Sequence, residues 1–155
     1  MLLIKNGCIH DAVSREPYIA DIMVENGKIT AINTGTMLSG ALPDSMDNCE
    51  AEVLDIKGLN VYPGLVDAHS HLGLDGYAIG FESQDYNEMN DIVTPQLRAI
   101  DGFYPQDETV KLAREGGVTC VGTGPGSSNV LGGMFMAVKT YGHRVDDMVV
   151  KFPVA

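Results

Sequence analysis

The chain has 155 residues, 45% of them hydrophobic and 20% charged, enough for an ordinary globular domain with a core of its own. Its 10 Lys and Arg stand against 21 Asp and Glu, a net charge of −11, and surfaces that grip nucleic acid or acidic membranes need a basic excess, so neither is an expected partner. Three cysteines (Cys8, Cys49, Cys120), odd in number and without a CxxC pair, fit a reducing cytoplasm, and MLLIKNG is interrupted by Lys5 and Asn6 too early for a signal peptide.

The first sixty residues read as β-rich. Leu2–Ile4 is a short apolar strand ending at Asn6-Gly7. In YIADIMVENGKITAIN, Ile22 and Val24 alternate with Asp21 and Met23, and Ile29 and Ala31 continue the alternation after a turn. Asn26-Gly27 between them predicts a two-residue hairpin, because both residues tolerate positive φ. Residues 34–50 are turn-rich and predict a surface connection. A strand over 52–56, a Lys57-Gly58 turn and a second extended stretch follow.

Beyond Gly76 the pattern changes. Residues 77–106 form a long acidic insertion with room for a short helix. Asp107 is placed to N-cap a helix whose apolar positions are Val110, Leu112 and Ala113, ending at Gly116-Gly117. VTCVGTG (118–124) predicts a strand, GGMFMAVKTYG (132–142) a second helix, and DMVVKF (147–152) another strand. Strand and helix in alternation predict a parallel α/β sheet or barrel. The expected organisation is a β-sandwich-like module over 1–60, then over 61–155 the first strands and helices of an incomplete (β/α)8 barrel, an α/β fold class.

The chemistry concentrates in PGLVDAHSHLGLDG, residues 63–76. Side chains two apart on a strand share a face, so Asp67, His69 and His71 point one way and Val66, Ala68 and Ser70 the other. Two imidazoles on one face at a strand end can chelate a single ion, and Zn²⁺ accepts such nitrogen ligands. Asp67 lies about 6.6 Å below His69, at two residues of ~3.3 Å each, which suits a supporting hydrogen bond better than direct ligation. Gly73 and Gly76 let the chain turn sharply off the strand into a substrate pocket. An isolated His-x-His arises readily by chance; the apolar strand, the preceding Pro63-Gly64 and the in-phase Asp67 give this one its weight.

VLDIKGLNVYPGLVDAHSHLG (53–73) resembles the first barrel strand of the metal-dependent amidohydrolase superfamily. LLIKNGCIHD…ADIMVENGKITAIN is similar to the β-sandwich module that precedes the barrel in many members. From EGGVTCVGTGPGSSNVLGGMFMAVKTYG onward the likeness is to the second strand of imidazolonepropionase-like members. The resemblance implies that His69 and His71 ligate a divalent metal, Zn²⁺ first, that Asp67 supports them, and that a C–N bond of an amide, cyclic amide or dipeptide is hydrolysed by metal-activated water. The other ligands and the catalytic base come from later barrel strands in this superfamily. A complete barrel takes roughly 200 residues or more, whereas about ninety follow the start of the first strand here. The expectation is therefore the N-terminal portion of a longer hydrolase, inactive alone, acting on a small molecule in the cytoplasm as a homo-oligomer. A deaminase of the same superfamily, or a non-catalytic assembly module on the same fold, are the alternatives.

Other features carry blander readings. Gly122, Gly124 and Gly126 in GTGPGSSN fit neither a dinucleotide nor a P-loop spacing. They predict a barrel turn after the strand, with Gly124 shaping the substrate pocket. Cys120 reads as a small buried hydrophobe, His10 as a surface or turn residue, and Asp101 and Tyr104 as loop residues over the barrel mouth.

Overall fold

The computed structural model describes residues 1–35, 52–77 and 80–154. All but Thr34 and Gly35 of the connection expected over 34–50 lies outside the described residues, as does Cys49. The fold is mixed α/β with a strand-rich N-terminal part, and the chain divides into two compact units, Met1–Pro63 and Gly64–Ala155.

The first unit is one mixed sheet of five strands: β1 (Leu2–Ile9), β2 (Tyr18–Glu25), β3 (Lys28–Asn33), β4 (Glu52–Asp55) and β5 (Asn60–Val61). Its order is β3-β2-β1-β4, with β5 also paired to β1. The β2–β3 hairpin turns on Asn26 (φ 50°) and Gly27 (φ 73°), as their sequence predicts. Strand β1 does not end at Asn6-Gly7 but runs through it as a bulge, because Asn6 adopts φ 62° and its N–H donates to Asp21 Oδ1 at 2.8 Å. Ile9, Ala20 and Ile22 form a small core. Ile29 is instead 62% exposed, on the edge strand β3. The described strands of this unit all belong to this one sheet.

The second unit holds a four-stranded sheet of order β6-β7-β8-β9: β6 (Leu65–Ser70), β7 (Val118–Thr123), β8 (Met136–Lys139) and β9 (Val149–Lys151). Between β6 and β7 come a 3₁₀ turn (Phe81–Ser83), α1 (Ala99–Gly102) and α2 (Glu108–Glu115). Strands β6 and β7 are parallel, but β7–β8 and β8–β9 are antiparallel. The helix expected over 132–142 is thus a strand. Gly132-Gly133 weaken any helix start, and Met136, Val138 and Thr140, all 1% exposed or less, alternate with Ala137 and Lys139 at the strand period. A short helix, α3 (Val145–Met148), then leads into β9. No described helix is long and apolar enough to cross a membrane.

The core of this unit gathers Leu74, Ala99, Phe103, Val110, Val121, Met136, Val138 and Met148. Val110 carries α2 onto it, whereas Leu112 is exposed and Cys120 only half-buried. Asp107 caps α2 as expected: its Oδ1 accepts from Thr109 N at 2.8 Å and from the Thr109 hydroxyl, and its Oδ2 accepts from Tyr77 N at 3.2 Å. Burial pushes this carboxyl up, but the three hydrogen bonds prevail and hold it below its ordinary 3.8. A depressed folded pKa adds stability above the unfolded value, and that stability is lost as pH falls through the folded one. Asp107→Ala is therefore expected to cost about 1–2 kcal/mol at pH 7 and to flatten the acid limb of stability. Urea titrations at pH 7 and pH 3 check this, and an equal loss at both would contradict it.

Candidate metal centre

Strand β6 ends at Ser70, which puts His69 on the strand and His71 one residue past its end. The two rings lie edge to face, with centroids 5.4 Å apart and planes at 80°. An imidazole centroid sits roughly 3.2 Å from an ion held by its nitrogen, so two such ligands at a tetrahedral angle need centroids about 5.2 Å apart. The pair fits that requirement.

The hydrogen bonding selects the tautomer of His71. Its Nδ1 lies 2.7 Å from the carbonyl oxygen of Gly124, an atom that only accepts, so Nδ1 carries the proton. The neutral ring then has its lone pair on Nε2. Gly124 thus acts through its backbone oxygen, in a chain held to the end of β6 by three bonds. Gly124 N donates to Ser70 O at 3.3 Å, Ser70 Oγ to Gly122 O at 3.3 Å, and the fully buried Thr123 hydroxyl to Leu72 O at 2.8 Å.

Asp67 is exposed, and its Oδ1 accepts from the His69 backbone N–H at 3.2 Å, so its nearest partner is the strand backbone. Gly73 is buried at φ 76°, where a Cβ would stand 2.4 Å from the Phe103 ring, and its carbonyl accepts from Tyr104 N at 2.8 Å. Gly76 has φ 63°, with Ser83 against it. Both glycines take positive φ in the chain that leaves β6. Asp101 pairs with Arg98 at 2.6 Å. The loop after β7 leads into β8, so GTGPGSSN has no helix to follow it; Ser128 Oγ instead donates to Asn87 Oδ1 at 2.7 Å. His10 lies just beyond β1, stacked on Tyr62 with centroids 4.4 Å apart.

Two aromatic neighbours of the pair escaped sequence reasoning. Tyr86 lies parallel to His71, centroids 5.1 Å apart and planes at 14°, and Phe135 lies 5.1 Å from His69. Neither is close to the pair in sequence. Tyr86 has one local signal, an aromatic in an otherwise polar segment, whereas Phe135 sits unmarked in the apolar run MFMAV. Among the described residues no group of three or more His, Cys, Asp or Glu converges on one point.

No family model matches the chain. It is 34% identical over 122 residues to an amidohydrolase, tasK, of Hapsidospora irregularis, covering 79% of this chain and 12% of that protein. It is 33% identical over 101 residues to the N-substituted formamide deformylase of Arthrobacter pascens, covering 64% and 16%, and 37% identical over 76 residues to the dihydroorotase of Syntrophus aciditrophicus, covering 49% and 16%. A solved amidohydrolase from Thermotoga maritima matches all of this chain and 38% of its own, at 37% identity and a TM-score of 0.87. The chain therefore spans 12–16% of the length of these curated relatives. Motif, fold and relatives agree, and the chain belongs to the amidohydrolase superfamily.

Proposed function

We propose that this chain is the N-terminal part of a metal-dependent hydrolase that cleaves a C–N bond in a small amide, cyclic amide or formamide, with His69 and His71 holding a divalent ion, Zn²⁺ first. The observation that carries this reading is the pairing of the two imidazoles, with His71 Nδ1 committed to the Gly124 carbonyl and Nε2 left to ligate. A bound ion supplies Lewis acidity, lowering the pKa of water and polarising the scissile carbonyl. The chain's own residues supply position. Gly124 sets the His71 tautomer, Asp67 braces the strand backbone at His69, and Gly73, Gly76 and Gly124 shape the pocket wall. The relatives' names point to the bond class: one is a formamide deformylase and one a dihydroorotase.

Two imidazoles leave most of an ion's coordination to water, so zinc binding by this chain is expected to be weak and its turnover of amides negligible. Zinc binding by the chain, read by isothermal calorimetry, is expected to weaken at least tenfold in His69→Ala and in His71→Ala. Unchanged affinity in both variants would put the ion elsewhere and remove the basis of the proposal.

A further inference from the structure

We propose that Tyr86 is a positioning residue for His71, holding its imidazole so that Nε2 faces the ion; this rests on the metal reading of the His pair. An imidazole on a short side chain has two torsions to restrain. The hydrogen bond from Nδ1 to Gly124 O fixes one ring edge, but the ring can still tilt about that bond. The Tyr86 ring, 5.1 Å away and within 14° of parallel, removes the tilt. Together they leave one orientation.

Tyr86 is itself held firmly. Its carbonyl accepts from Gly126 N at 2.6 Å, and the preceding Asp85 N donates to Leu74 O at 2.8 Å. Its ring packs against the core of the second unit. A Cβ on Gly126 would stand 2.7 Å from Tyr86 Cδ2 and 2.1 Å from Asn87 Oδ1, so the chain after β7 comes this close only because residue 126 is glycine. Tyr86 and His71 also share an open cavity of about 300 Å³ with Leu72, Asp75 and Thr109. The acidic insertion between β6 and α1 thus contributes a wall to the metal site. Groups that orient a ligating histidine typically change metal affinity 10–100-fold when removed.

The test uses the whole 155-residue chain and reads His71 in two ways. Long-range ¹H–¹⁵N spectra of the metal-free protein should show His71 as the Nδ1-protonated tautomer, with ring protons shifted upfield by the Tyr86 ring. In Tyr86→Leu the Nδ1-protonated tautomer that Gly124 sets should persist, the His71 ring signals should broaden as the freed ring tilts and lose their upfield shift, and the Kd for Co²⁺, followed by its visible spectrum, should rise about tenfold. Tyr86→Phe keeps the ring and should restore both readouts. If Tyr86→Leu does not fold, Gly126→Ala makes the same test by displacing the Tyr86 ring. Native His71 signals and native Co²⁺ affinity in the displaced-ring variant overturn the proposal. Co²⁺ binding that survives loss of both histidines overturns the metal reading instead, and the metal-free spectra still decide whether Tyr86 holds His71.

Discussion

Met136→Ala is expected to destabilise the second unit by about 2–5 kcal/mol, the range for removing most of a buried large side chain from a packed core. Met136 has no exposed surface and sits among Val121, Val138, Phe103 and Met148, drawn from β7, β8, α3 and the end of α1. Such a site collapses poorly, because its neighbours are backbone-anchored on four elements and each would have to move. Met136→Leu keeps the volume nearly constant and should cost under about 1.5 kcal/mol. The two variants together separate cavity from chemistry, since both remove the thioether and only one leaves a hole. Urea denaturation followed by hydrogen exchange at the Val121 and Val138 amides checks the pair. Equal losses in both would mean that sulfur contacts, not packing, hold this position. The consequence reaches the site: Met136 pairs with Thr123, whose hydroxyl holds Leu72 next to His71, and it follows Phe135, which lies against His69.

What could be read in advance was local. Asn26-Gly27 announces its hairpin because two adjacent positive φ angles suit those residues, and Asp107 announces α2 because a cap needs only its own helix. The nearness of His69 and His71 was legible because they are two residues apart in extended chain, although His71 lies one residue past the end of β6. Residues 132–142 misled because Met, Ala and Lys favour helices, while the period-two burial of Met136, Val138 and Thr140 depends on pairing with β7, invisible from within the segment. The bulge at Asn6 was hidden in the same way, since the Asp21 carboxylate that accepts from its backbone N–H lies on another strand. At the site, Gly124 could be marked as a turn residue but not as the acceptor for His71, 53 residues away. Tyr86 and Phe135 reach the imidazoles only once β6 and β7 pair and the chain around Tyr86 packs against His71. The identity and spacing of the two imidazoles were thus sequence properties, and the orientation of their rings a tertiary one.

Gly122→Ala tests that dependence where it is most concentrated. A Cβ at this position would stand 2.5 Å from Ala68 O and 3.1 Å from Ala68 C, both backbone atoms of β6. A flexible side chain could swing aside; a strand cannot yield without parting from its neighbour. The β6–β7 register is irregular between Asp67 and Ser70, so the Ala68 carbonyl lies over Gly122 where a regular ladder would keep it in line. Alanine there is expected to cost about 1–3 kcal/mol through overpacking. It should also weaken zinc binding about tenfold, because parting the strands lengthens the His71–Gly124 hydrogen bond that sets the tautomer. Gly116→Ala is the matched control. Gly116 has φ −76°, and a Cβ would meet only ordinary contacts at 3.4 Å, so the same substitution should be neutral or slightly stabilising through the unfolded chain. Thermal melts and zinc calorimetry on the two variants give four numbers. A Gly122→Ala protein that melts with the native chain and binds zinc as tightly would mean that β6 can shift without moving its histidines. An unstable protein with native zinc affinity would mean instead that the pair is positioned within β6 alone, independently of the β7 carbonyl.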